Sequence, residues 1–140
     1  MSNHYTKVSL EMMLPDKEAQ QQALALAAQA ERIRDSEEEI PEGCPFSNNS
    51  LEGWYFDIEP EGERSLWIYV EEQANIDAIC EFVHHLLKTY DPDGQVSFEW
   101  SRDCDRPFVG AYGGGAAIIT AHEIKSMSTW EWINTNSKQS

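Results

Sequence analysis

The sequence predicts an α+β fold: a ferredoxin-like βαββαβ sandwich with an extra C-terminal strand and helices on one face of a mostly antiparallel sheet. Three observations carry this. Short stretches alternate apolar and polar residues with period two, two longer stretches repeat apolar residues at helical spacing, and the two kinds follow one another as strand, helix, strand, strand, helix, strand. At 140 residues the expected organisation is one domain, 1–140, long enough to bury a core.

From Thr6 to Leu14, Val8, Leu10, Met12 and Leu14 alternate with Lys7, Ser9, Glu11 and Met13, the pattern of a half-buried strand. Pro15 and Asp16 break it, and Ala19, Ala23, Leu26, Ala27, Ala30 and Ile33 then mark one face of a first helix. Residues 35–53 hold two Pro, two Gly and an acidic run, and are expected to form a long, mobile surface loop. Trp54, Phe56 and Ile58, then Leu66, Ile68 and Val70, alternate on either side of PEGER and predict a hairpin. Asn75 is the expected N-cap of a second helix with Ile76, Ile79, Cys80, Val83, Leu86, Leu87 and Tyr90 on its apolar face. The turn DPDG ends it, and Val96, Phe98 and Trp100 predict a fourth strand. Residues 102–115 are expected as a loop and Ala116 to Thr120 as a short buried strand. Thr120 and Glu123 have capping-box spacing for a last short helix or turn carrying Ile124 and Met127, and a frayed tail is expected at 134–140.

Charge is the strongest compositional signal. The net charge is −15 and the isoelectric point about 4.4. Between Glu31 and Glu72 stand 13 acidic residues against three basic ones, a local net charge of −10. Such a surface disfavours nucleic acid and anionic membrane as direct partners. With 41% hydrophobic residues, 11% aromatics and five Trp, the composition is that of a globular chain rather than a disordered one. No apolar run approaches the roughly 20 residues of a bilayer span. The segment MSNHYTKVSLEMML also lacks the order of an export signal, so a cytoplasmic location is expected. Cys44, Cys80 and Cys104 form an odd set without CxxC spacing, which argues against a disulfide framework and a thiolate zinc site.

Few constellations point to chemistry. Arg102, Cys104, Arg106, Gly113, Gly114 and Gly115 crowd into one tract, and consecutive glycines can bring backbone amides to an anion. The glycines precede a strand, though, not a helix, as a P-loop or dinucleotide fingerprint would require. A bulge or tight turn is the plainer reading. Cys104 with His122 and a flanking Asp has the residue types of an activated thiolate, but nothing in the spacing demands contact. Adjacent His84 and His85 diverge by about 100° on a helix and read as a solvated pair. Acidic pairs are too abundant here to single out any one, and DIEPEGERSLWI lacks the closing Glu of a calcium loop. No cofactor, metal or catalytic residue is implied, and the expected protein is not an enzyme.

From Leu66 onward, LWIYVEE, NIDAICEFVHHLL, DPDG, FEWSRDCDRP and GGGAAIITAHEI resemble a group of small acidic proteins of bacteriophage and plasmid genomes. The most specific piece is the order Trp100, Cys104, Arg106, Pro107 and Gly113 to Gly115. Members often carry an acidic residue and Phe before the glycines, where this chain has Ala111 and Tyr112. The resemblance implies an accessory protein of a mobile element, working in a bacterial cytoplasm, and carries no site residue over.

The leading expectation is therefore a non-enzymatic interaction protein that binds a basic site on a host protein, in its sharpest form a DNA mimic facing a nucleic-acid-handling protein. Its expected partner surface comprises Glu37, Glu38, Glu39, Tyr55, Asp57, Glu59, Glu61, Trp67 and Tyr69. The alternative is a small anionic ligand, such as a nucleotide, held by the 102–115 tract. The exposed aromatics also leave a homodimer open.

Overall fold

Alternation in the first strand produces the expected division of its side chains. In the computed structural model, which describes residues 4–137, β1 (His4–Met13) buries Val8, Leu10 and Met12 between more exposed neighbours. Asp16, in extended conformation, caps α1 (Lys17–Arg34) by accepting a hydrogen bond from the Ala19 amide at 2.8 Å. α1 buries Ala19, Ala23, Ala27 and Ala30, small residues that let its backbone lie close to the core. The buried Gln20 ties the helix to the hairpin beneath it, donating to the carbonyls of Ser65 at 2.8 Å and Gly62 at 3.2 Å.

After a short helix α2 (Asn48–Glu52), the hairpin consists of β2 (Asp57–Glu61) and β3 (Ser65–Val70). Helix α3 (Ile76–Tyr90) starts at the expected cap, Asn75 accepting from the Ala78 amide at 3.3 Å, and buries Ile79, Phe82, Val83, Leu86 and Leu87. The chain continues through β4 (Gln95–Cys104), β5 (Gly113–Thr120), β6 (Ile124–Ser128) and α4 (Thr129–Asn136). The six strands form one antiparallel sheet in the order β2-β3-β1-β4-β5-β6. Leu66, Ile68, Phe98, Ala117 and Ile119 share one core with the buried faces of α1 and α3.

Several expectations are corrected. The sheet has two strands beyond the βαββαβ set where one was expected. Thr120 does accept hydrogen bonds from the His122 and Glu123 amides, at 3.2 and 3.1 Å, but the motif closes the β5–β6 turn instead of starting a helix. Ile124 and Met127 accordingly lie on β6. The terminal helix begins at Thr129, so residues 134–136, expected to fray, belong to α4; 138–140 lie outside the described residues.

The 35–53 loop is anchored in its second half, because Phe46 and Leu51 bury their side chains in the core and α2 forms there. Glu81 of α3 holds it, accepting from the Ser47 amide at 2.8 Å, from the Ser47 hydroxyl at 2.9 Å, and from the Ser50 hydroxyl. Trp54 lies outside β2. It is buried between Phe46, Phe56 and Phe82, at ring-centroid distances of 4.8, 4.9 and 5.6 Å, an aromatic cluster that outweighs ladder pairing for this residue.

Candidate interaction surface

Since side chains alternate across a strand, burying Leu66 and Ile68 sends Trp67 and Tyr69 to the opposite face of the sheet. The register assembles their surroundings: Asp57 lies across from Tyr69, Glu59 and Glu11 flank Trp67 on either side, and Glu61 lies across from Ser65. Five of the nine expected partner residues, Asp57, Glu59, Glu61, Trp67 and Tyr69, thus share one exposed face. The Trp67 and Tyr69 rings stack at 3.9 Å and 23°. Trp67 Nε1 donates to Ser9 Oγ at 2.9 Å, and the Tyr69 hydroxyl donates to Glu59 at 2.7 Å. That last hydrogen bond is the main reason the Tyr69 pKa is pushed up to about 12, with desolvation and the charges of Glu59, Asp57 and Glu71 adding to it. The phenol therefore remains a donor at neutral pH. Beside the stack a groove of about 450 Å³ runs over β1 between Lys7, Ser9, Glu71 and Glu99.

The remaining acidic candidates lie elsewhere. α1 ends in a Schellman motif, with Ser36 at φ 62° and the Glu37 amide donating to the Arg32 carbonyl at 2.9 Å. This exit sends Glu37, Glu38 and Glu39 to a separate groove of about 600 Å³ between the end of α1 and α2. Arg34 organises this corner. Its side chain, only 15% exposed, donates to Asp35 at 2.9 Å and to the Trp54 carbonyl, and its guanidinium sits 4.5 Å from the Tyr55 ring centroid. The hydrogen bond to Asp35 is the chief cause raising the Arg34 pKa. Tyr55 is thus a lid on an arginine, not a member of the Trp67 stack.

The 102–115 tract is mostly strand. Arg102 and Cys104 belong to β4, Gly113, Gly114 and Gly115 open β5, and only 105–112 connect them. The glycines are required by close approach. A Cβ on Gly115 would run into the Trp100 ring and the Met127 carbonyl, and one on Gly114 into the Trp100 carbonyl. Their backbone pairs with β4, Gly115 also pairs with β6, and the Gly114 amide donates to Thr129 Oγ1 at 3.1 Å. Cys104 is buried, and its thiol donates to Asp105 at 3.6 Å. His122 follows the opposite end of β5, about 25 Å away at the ~3.3 Å rise of a strand, so Cys104 and His122 are not brought together.

His84 and His85 are not a solvated pair either. His84 Nδ1 lies 2.7 Å from the Thr120 carbonyl, and His85 meets the Phe46 ring edge to face at 5.7 Å. Burial, with Lys88 and His84 adding to it, lowers the His85 pKa. Among the described residues no group of three or more His, Cys, Asp and Glu is placed to hold a metal, and no helix is long and apolar enough to cross a membrane.

Sequence reasoning missed one surface. β6 is an edge strand with little burial, α4 buries no residue, and Trp130, Trp132 and Ile133 are 62, 54 and 55% exposed. Two Trp and an Ile within four residues of a polar terminus were a visible signal of it. No known family, curated protein or solved structure matches the chain.

Proposed function

We propose that this protein is a non-enzymatic interaction protein whose exposed β1–β3 face receives a basic surface of a partner protein. The observation that carries this is the row Glu59, Trp67, Glu11 with Asp57 and Glu61 beside it on one uncovered face. Carboxylates around stacked aromatic rings suit an incoming Arg or Lys, which gains a ring face and a counter-charge together. The −15 net charge adds long-range attraction that speeds encounter with a basic partner.

A nucleic-acid-handling partner fits the spacing. Alternate carboxylates along β2 recur about every 6.7 Å, twice the ~3.4 Å axial spacing of phosphates on one DNA strand. The resemblance carried by Trp100, Cys104, Arg106, Pro107 and the three glycines supports a mobile-element protein acting on a bacterial host factor. The four strands β2-β3-β1-β4 with α1 and α3 are read here as a ferredoxin-like unit to which β5 and β6 are appended, and the order β1-α1-β2-β3-α3-β4 supports that reading. The small-anion alternative has less behind it, since the glycine backbone is engaged in the sheet.

The test is affinity capture from bacterial lysate with washes of rising salt. A basic protein retained at low salt and released at high salt is expected. Retention of no basic protein at low salt would contradict the reading.

A further inference from the structure

We infer that the β6 edge and α4 form a two-fold interface with a second copy of this chain, independently of the acidic face proposed above. The two edges of the sheet differ in chemistry. Edge β2 reads DIEPE, three acids and a Pro, which are the usual devices against strand-to-strand association. Edge β6 reads IKSMS, with no Pro and one charge, and Lys125 is paired with Glu123 at 3.3 Å. Beyond Gly115 the β5 edge is taken over by Thr129 through its bond to Gly114, so the capped part ends where β6 begins.

Charge selects the occupant. Residues 1–109 hold 23 acidic against eight basic residues, the whole −15 of the chain, whereas 110–137 hold only Glu123, Lys125 and Glu131. Two such molecules repel through every other surface, and this nearly neutral end is where they can meet. The area suffices. Ile118, Ile124, Met127, Trp130, Trp132 and Ile133 are 38–62% exposed, roughly 600 Å² of apolar surface at the 150–250 Å² of a large side chain. Adding a paired strand's backbone brings this near the ~800 Å² per partner of a standard interface.

The geometry is self-complementary, as a two-fold contact requires. Antiparallel pairing centred on Ser126 sets Lys125 opposite Met127 and Ile124 opposite Ser128, so the two Lys125 side chains do not face each other. The same register carries α4 of each copy alongside the β5–β6 turn of the other. The result is one continuous twelve-stranded sheet with both β2 edges outermost and both acidic faces free.

Sedimentation velocity across protein and salt concentration tests this on the full chain. A species of twice 16.0 kDa is expected, unchanged or strengthened by salt because salt screens repulsion between like-charged copies. Contacts made through the acidic face respond to salt with the opposite sign, so failure of one reading is distinguishable from failure of the other. Met127→Asp and Trp130→Ser should each weaken association at least about tenfold. The double variant Glu59→Lys, Glu61→Lys on the far edge should not. Trp130 is largely exposed, so its variant decides the matter even if Met127→Asp disturbs folding, which circular dichroism monitors. A monomer in every condition, leaving this face to a different protein, would overturn the inference. So would a dimer indifferent to the Trp130 change.

Discussion

Replacing Phe46 by Ala tests whether the 35–53 segment belongs to the core. Phe46 is 6% exposed, and its ring lies 4.8 Å from Trp54, 6.3 Å from Phe82 and 5.7 Å from His85. Withdrawing a buried Phe forfeits about 1.5–3 kcal/mol of transfer free energy, and the cavity left behind raises typical Phe→Ala losses to ~3–5 kcal/mol. Because Phe46 sits between helices on a connecting segment, that segment can partly collapse into the space. The lower end, about 3 kcal/mol, is therefore expected. At ~2–4 °C per kcal/mol for a chain of this size, Tm falls by roughly 6–12 °C. Urea unfolding followed by tryptophan fluorescence measures it, with the neighbouring Trp54 as reporter. A loss below about 1 kcal/mol with an unchanged m value would refute the reasoning, since it would mean the segment contributes no more than a surface loop.

Gly115→Ala should cost ~1–3 kcal/mol, as the new methyl must displace the Trp100 ring or the β6 backbone; an unfolding curve superimposable on wild type would count against the close approach. Glu81→Ala leaves the Ser47 amide and the Ser47 and Ser50 hydroxyls without their acceptor. It should lower stability by about 1–3 kcal/mol and speed amide exchange at 47–52, whereas unchanged exchange there would show that the carboxylate is not the anchor. His85 has a folded pKa below its ordinary 6.5, chiefly through burial, with Lys88 and His84 adding to it. As pH falls below about 6.5 the unfolded chain binds the proton first, so stability declines until the lowered folded value is passed. His85→Gln should remove that part of the decline, and equal pH profiles for the two proteins would argue that the imidazole is not desolvated.

Periodic segments were legible because one face of each pays no conflicting demand: Val8, Leu10 and Met12 alternate without interruption, and α3 carries its apolar stripe between Asn75 and the DPDG turn. The 35–53 segment was misread because its composition reports solvent exposure for Glu37 to Glu39 but is silent on Phe46 and Leu51, which long-range packing buries. The Thr120 and Glu123 pair shows a local signal with two outcomes, since the same hydroxyl-to-amide bonds serve a helix start or a strand turn, and only the neighbouring β5 edge selects the second. Likewise the glycine tract announced that side chains were not tolerated, but the reason, the Trp100 ring lying across Gly115, belongs to the β4–β5 register. Of the candidate surface, Trp67, Tyr69 and the β2 acids could be placed together from alternation alone. The separation of Glu37 to Glu39 from them could not, because it follows from the turn at Ser36 and the Arg34 contacts.

That separation allows a direct test of the central claim. Two charge-reversed proteins should be compared with wild type in the capture experiment, one carrying Asp57→Lys, Glu59→Lys and Glu61→Lys, the other Glu37→Lys, Glu38→Lys and Glu39→Lys. Each changes the net charge by the same amount, so long-range attraction falls equally in both, while only the first alters the face around Trp67 and Tyr69. Loss of the captured basic protein with the first variant and its retention with the second is the expected result. Equal loss with both, or loss with the second alone, would contradict the assignment of the open β1–β3 face as the binding surface.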